Sequence, residues 1–440
     1  MKIKNKLIVC LSNILLLLIL SCSSCTPKQN IDESKSVSLS SKPEARLEQK
    51  HDPSETAALI ETTSFKNEAA SQHETAPASA ADATASLDDK LSLQIEKQLA
   101  SMSLEAKVAQ LFFVTPESLT GYSKVIQAGE QSRKSFKKYP VGGLIYFSQN
   151  LETPEQTRSM LENMQKIALD TSGFPIFLST DEEGGEVARL QGKSGFGIPK
   201  TPSMRDIGKT NDLSEAKQAG STIGNYLQDY GFNLNFAPDA DVLTEPKNRI
   251  IGSRSFGSEP SLVSNMAKAY EDGLNEQGVL GCYKHFPGHG GTLEDSHKDY
   301  AFSYKTLEEL ENVELFPFKE AAKRQAAMIM ISHISLPNVL GDDTPASLSK
   351  KIVTDILRVE YGYQGIIITD ALDMGAIHKH YSTEKAVQMA FNAGVDMFLI
   401  AGDFRSAYQS LLSDFQTGKL SEERLDESIR RILRVKLKLS

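Results

Sequence analysis

The sequence predicts an α/β fold, a (β/α)8 barrel of the TIM type, placed behind a signal peptide and a disordered tether. Three observations carry that expectation. Eight short aliphatic runs recur along the chain, longer amphipathic stretches separate them, and ionisable residues gather where five of the runs end. Near-continuous apolar strands are what a parallel sheet covered on both faces requires.

The N-terminus reads differently from the rest. Lys2, Lys4 and Lys6 precede an apolar run from Leu7 to Leu20, interrupted only by Ser12 and Asn13. A basic start followed by a run too short to span a bilayer comfortably is a signal-peptide pattern. The run ends in Ile19-Leu20-Ser21-Cys22, which resembles the bacterial lipoprotein cleavage site, with Cys22 becoming the lipidated first residue. An ordinary signal peptide cut nearby is the alternative. From Thr26 to Ser86 the chain is rich in Ser, Thr, Ala, Glu and Lys, with few aromatics and little apolar periodicity. Such a segment buries too little apolar surface to offset its ordering entropy and reads as a tether, a small helical domain being the other reading. The expected organisation is therefore a leader over 1–21, a linker over 22–88 and a barrel over 89–440.

Within the barrel region the runs are Val108–Val114, Val141–Phe147, Phe174–Ser179, Phe232–Ala237, Gly278–Tyr283, Ala327–Ser332, Gly365–Thr369 and Val395–Ile400. Helical patterns lie between them at Thr153–Leu169, Leu213–Tyr230, Ser261–Gln277 and Thr306–Arg324, and a basic amphipathic stretch, Ser421–Leu439, closes the domain. Eight strands alternating with helices fit a closed parallel barrel with insertions. An open dinucleotide-binding sheet is the rival, but no strand is followed by G-x-G-x-x-G.

Composition narrows the function. A formal charge of −9 argues against a nucleic-acid surface. Of the four cysteines, Cys10 lies in the leader and Cys22 is the lipidation candidate, so Cys25 and Cys282 leave no disulfide framework. No Cys/His cluster has zinc spacing, and neither a metal nor a cofactor is expected. The absence of Trp speaks against a long polysaccharide cleft lined by stacking rings, though not against a pocket for one terminal sugar.

The polar clusters place the chemistry. Asp181-Glu182-Glu183-Gly184-Gly185 follows the third run and Pro238-Asp239-Ala240-Asp241 the fourth. Lys284-His285-Phe286-Pro287-Gly288-His289-Gly290 follows the fifth, Ser332-His333 the sixth and Asp370 the seventh. Any one of these is an ordinary helix cap. Five in register converge on one face of a barrel, because all strand C-termini open there. Cleaving a glycoside needs an anion beneath the anomeric carbon and a proton donor for the leaving oxygen. Asp370, on a rigid strand end, suits the first role. The glycine-rich segment Gly288–Tyr300 carries Asp295 and His297, and a carboxylate beside an imidazole fixes its tautomer and keeps a proton available. A solvated loop histidine is the alternative for His297.

These residues resemble glycoside hydrolase family 3, in particular its bacterial β-N-acetylglucosaminidases. The resemblance rests on Lys284–Gly290 with Asp295-Ser296-His297, and on Thr369-Asp370-Ala371-Leu372-Asp373-Met374. Met102–Val108, Asn235-Phe236-Ala237-Pro238 and Ile251–Gly257 agree, so that roughly residues 90–440 are covered. It implies Asp370 as nucleophile, His297 as acid/base and Asp295 as its partner in a retaining double displacement. It also implies substrate contacts from Asp181, Arg189, Arg254, Lys284 and His285; for Arg189 and Arg254 a structural salt bridge is the competing reading. The family's Asp-Gln-Glu-Gly-Gly-Arg run stands here as Asp181-Glu182-Glu183-Gly184-Gly185-Glu186, two changes toward negative charge beside the expected pocket. Many members carry a second α/β domain supplying a glutamate acid; here the acid is expected in the barrel, on the His297 loop.

The expected activity is an exo-β-N-acetylglucosaminidase acting on peptidoglycan fragments or related amino-sugar oligomers outside the cytoplasm, anchored to the membrane by lipid. A monomer is expected. A phosphorylase is the nearest rival, since a histidine acid repels an incoming phosphate less than a glutamate does. A β-glucosidase fits the Asp295–His297 pair less well, and a non-catalytic sugar-binding lipoprotein is the rival from another class.

Overall fold

A computed structural model describes residues 87–400 and 402–439. The leader, most of the tether and Cys22 lie outside the described residues. Among those described, eight parallel strands run β1 (Phe112–Val114), β2 (Gly143–Ile145), β3 (Phe177–Thr180), β4 (Leu234–Asn235), β5 (Leu280–Phe286), β6 (Met328–Ile331), β7 (Ile366–Thr369) and β8 (Phe398–Leu399). From β1 to β7 each pairs with the next in sequence, and β8 returns to β1 through Phe112↔Phe398 and Phe113↔Leu399. Between β7 and β8 the barrel closes through an Ile368↔Met397 bridge and the bonds Asp396 N–H to Ile367 O and Thr369 N–H to Met397 O. A short parallel pair, Ala301–Phe302 with Ile334–Ser335, sits beyond the barrel. No described helix is long and apolar enough to cross a membrane.

Side chains fill the barrel instead of leaving a pore. The Phe113 ring stacks with Phe177 at 6.4 Å and meets Phe236 at 5.2 Å. Gly143 makes room for it, since a Cβ there would lie 2.3 Å from the Phe113 ring. Helices on the outside begin at side-chain caps: Thr153 accepts from Gln156 N–H, Asp212 from Ser214 N–H, and Ser421 from Arg424 N–H. The closing helix Glu422–Lys436 is stitched to the N-terminal end of the barrel by Ser428, whose hydroxyl donates to buried Asp396 at 2.7 Å.

Two expected elements come out differently. Val108–Gln110 belongs to a helix, Leu104–Gln110, whose start is set by Ser103 accepting from Ala106 N–H; only Phe112–Val114 is strand. The stretch Thr306–Arg324 forms two helices, Leu307–Asn312 and Phe316–Lys323. Pro317 lacks the N–H that a continuous helix would need, so it opens the second helix.

Candidate active site

All five clusters occupy the C-terminal end of the barrel. At the end of β3, Asp181 accepts from Lys284 Nζ at 3.0 Å and pairs with Arg189 Nη2 at 3.4 Å. Lys284 also reaches Glu183 at 2.6 Å, and Arg254 grips Glu183 with two parallel bonds, both 2.8 Å. Bidentate guanidinium–carboxylate geometry fixes Arg254 in orientation as well as in place. Burial opposes the charge on Lys284, but Glu183 and Asp181 outweigh it and hold the ammonium form well above the ordinary lysine range. Three cations and two carboxylates thus alternate around one floor. The salt-bridge reading of Arg189 and Arg254 holds as geometry.

His285 has a determinate tautomer. Its Nε2 lies 3.2 Å from Arg254 Nη2, a group that only donates, so Nε2 accepts and Nδ1–H donates to Asp241 Oδ2 at 2.7 Å. Asp241 is fully buried and also accepts from the main-chain N–H of His285 and of His289. Asp239, Asp241 and His285 gather closely enough to suggest a metal cluster. Their chemistry argues otherwise, because Asp241 is already saturated with N–H donors and the Arg254 guanidinium stands 3.5 Å from Asp239 Oδ2. Burial, reinforced by Asp241, pushes the Asp239 carboxyl well above the ordinary aspartate range.

Asp370 follows β7. Its main-chain N–H donates to Ile331 O at 2.8 Å, and its Oδ1 accepts from Ala371 N–H at 2.7 Å, leaving Oδ2 for the pocket. Burial raises its pKa, but the positive potential around it and the Ala371 amide bond outweigh burial and bring it below the usual aspartate value. His333 braces the same turn. Ala371 O can only accept, so His333 Nε2–H donates to it at 3.0 Å while Nδ1 accepts from the Ser347 hydroxyl at 2.7 Å.

The segment carrying Asp295 and His297 lies against this turn. Gly375 N–H donates to His297 O at 2.9 Å and Ala376 N–H to Ser296 O at 3.1 Å. Gly375 is required for that approach, since a Cβ would fall 2.2 Å from Lys298 O. Buried Ser296 pins the loop from below through His289 Nε2 at 2.9 Å. Asp295 Oδ1 accepts from His297 Nδ1 at 2.8 Å and from His297 N–H at 3.0 Å, which leaves the ring's Nε2 free. Burial opposes ionisation of Asp295, but its bonds to His297 and the charge of Lys298 lower its pKa. The carboxyl at 370 and the imidazole at 297 therefore share one end of the fold and one electrostatic field.

Every residue singled out in the barrel sequence lies on this face. Asp241, Glu183, His289 and His333 were visible only as members of polar clusters, and Gly375 carried no signal at all. Void size does not mark the site: a cleft of about 940 Å³ opens at the opposite end, among Glu271, Arg324 and Gly365.

The sequence profile of the Glycosyl hydrolase family 3 N terminal domain matches residues 103–435. The chain belongs to this family. Beta-hexosaminidase A of Pseudoalteromonas piscicida is 36% identical over 324 residues, covering 69% of this chain and 54% of that protein. A beta-hexosaminidase of Nitrosomonas eutropha is 33% identical over 279 residues, 62% of this chain and 77% of that protein. Among solved structures, a family 3 β-N-acetylglucosaminidase from Paenibacillus sp. str. FPU-7 aligns with a TM-score of 0.72 and 35% identity, over 77% of this chain and 63% of that one. The chain thus spans a little over half of the first of these proteins.

One family departure changes meaning in the structure. Glu182 does not add charge to the pocket: it is fully buried and accepts from the N–H groups of Arg189, Leu190 and Gln191 and from Tyr226 OH. It folds the loop that presents Arg189. Glu186 is the change that reaches the rim, accepting from Ser253 Oγ at 3.1 Å.

Proposed function

We propose that this chain is a retaining exo-β-N-acetylglucosaminidase in which Asp370 is the nucleophile, His297 the acid/base and Asp295 its partner. The observation that carries the reading is the main-chain docking of the His297 segment onto the turn that bears Asp370. It supports a carboxylate and an imidazole acting together on one glycosidic bond. In the first step Asp370 Oδ2 attacks the anomeric carbon while His297 Nε2–H protonates the leaving oxygen. In the second the same nitrogen takes a proton from water, which attacks that carbon and releases Asp370. Asp295 stabilises the imidazolium and holds the ring by Nδ1. Asp181, Arg189, Arg254, Lys284 and His285 grip the terminal sugar; a substrate lacking one hydroxyl leaves such a buried donor unpaired, which is how they discriminate. The beta-hexosaminidase relatives and the family 3 β-N-acetylglucosaminidase structure support an N-acetylated amino sugar.

The lipobox-like Leu20-Ser21-Cys22 supports export and anchoring through Cys22, with peptidoglycan fragments or related amino-sugar oligomers as substrate. Loss of membrane association in Cys22→Ala tests the anchor. The activity test compares aryl β-N-acetylglucosaminide with aryl β-glucoside, with and without phosphate. The expected result is a strong preference for the first and free sugar as product; sugar 1-phosphate would identify a phosphorylase. A 5-fluoro glycoside should leave a mass adduct on the peptide containing Asp370, and binding without turnover or adduct would identify a sugar-binding protein instead.

A further inference from the structure

We propose that Asp299, Tyr300 and His380 form a latch that positions His297 over the bond to be broken, acting as positioning residues for proton transfer. The inference rests on the acid/base role of His297 proposed above. Asp295 and His297 belong to the same loop, so their bond fixes the ring relative to the loop and says nothing about the loop's place over Asp370. The His297 side chain is 62% exposed, so packing does not hold it either. Besides the Ser296–His289 bond, its placement depends on what ties the loop across to the segment after β7.

That tie has two parts. The main-chain pair through Gly375 and Ala376 has been described. Beyond it, Asp299 Oδ1 accepts from His380 Nε2 at 2.8 Å and Oδ2 pairs with Lys379 Nζ at 3.2 Å. Asp299 Oδ1 also accepts from Tyr300 N–H at 2.8 Å, which orients the carboxylate across the gap. The Tyr300 ring then stacks face to face on His380, centroids 4.0 Å apart and planes 9° from parallel. Asp299 and Tyr300 stand two and three residues past His297, while Lys379 and His380 stand nine and ten past Asp370. The latch therefore joins the two catalytic segments directly. It is also exposed, Asp299 by 54%, and exposed ion pairs add little to global stability. Such a contact can open for product release and close again without cost to the fold, and removing it leaves the protein folded.

A mispositioned acid hurts most where protonation of the leaving group matters. Asp299→Ala and His380→Ala are expected to lower kcat about ten-fold on unactivated N-acetylglucosaminides such as a disaccharide, and less than about two-fold on an activated aryl glycoside, with KM unchanged. His380→Gln, which keeps an N–H donor for Asp299, should recover most of the loss, and melting temperatures should match the wild type. His297→Ala is the reference and should show the same leaving-group dependence more strongly. If His297→Ala shows it and His380→Ala slows both substrates equally or neither, the latch is overturned alone. If His297→Ala lacks it, the acid/base reading falls and the latch with it.

Discussion

At the scale of single residues, the candidate site is organised by groups that stand behind the proposed sugar contacts. Asp241 sets the His285 tautomer, and through it the acceptor that faces Arg254. Asp241→Asn puts an amide NH2 where an acceptor now serves either His285 Nδ1–H or two main-chain N–H groups. Relieving that conflict turns the imidazole to its other tautomer, so that Nε2–H confronts the Arg254 donor. Both residues lie on the proposed sugar floor, and the expected effect is a loss of about 10- to 100-fold in kcat/KM, consistent with about 1.4–2.8 kcal/mol, mostly as raised KM. Unchanged KM in steady-state kinetics would show that His285 does not hold substrate. The catalytic candidates were legible because Asp370 and the Asp295–His297 pair sit in short, distinctive motifs. Asp241 and His333 were not, because a buried carboxylate or imidazole that orients another side chain leaves only an ordinary polar letter after a strand.

At the scale of elements, all eight strands were legible from aliphatic runs alone, since burial on both faces leaves few polar letters within them. Boundaries were less so. Val108–Gln110 leads straight into the apolar strand with all three residues buried, and the Ser103 cap, not burial, makes it helix. Loop placement was the least legible, because it depends on a close backbone approach that only coordinates reveal. Gly375→Ala tests that approach. A Cβ 2.2 Å from Lys298 O and 2.7 Å from His297 O must push the loop away, since both obstacles are backbone. Lys298 is 82% exposed and ready for trypsin once its backbone is freed. Cleavage after Lys298 should therefore run several-fold faster in Gly375→Ala than in the wild type, with thermal stability nearly unchanged; equal rates would mean the loop is held elsewhere.

At the scale of the whole molecule, the candidate site occupies one end of the barrel and the closing helix is tied to the other. Lys436 on the closing helix is completely buried at the N-terminal end. Its Nζ donates to Gln110 Oε1 at 2.7 Å and lies 5.3 and 5.1 Å from the Phe174 and Phe177 ring centroids, with no carboxylate paired to it among the described residues. Burial alone drives its pKa well below the ordinary lysine value. In the unfolded chain the amine titrates near about 10.4. Between the lowered folded value and that point, unfolding takes up a proton, so this residue makes stability rise with pH, by at most about 1.4 kcal/mol per pH unit, and level off above about 10.4. Lys436→Met removes the proton uptake and keeps the apolar stem against both rings. The variant should melt higher than the wild type near pH 6–7, and its advantage should shrink steadily toward pH 10. Buried tyrosines and histidines titrate in both proteins and cancel in the difference, and the partner lost by Gln110 is a cost independent of pH. Melting curves that shift in parallel across that range would show that Lys436 stays protonated in the folded barrel, with aromatic faces and one amide oxygen enough to hold a buried charge.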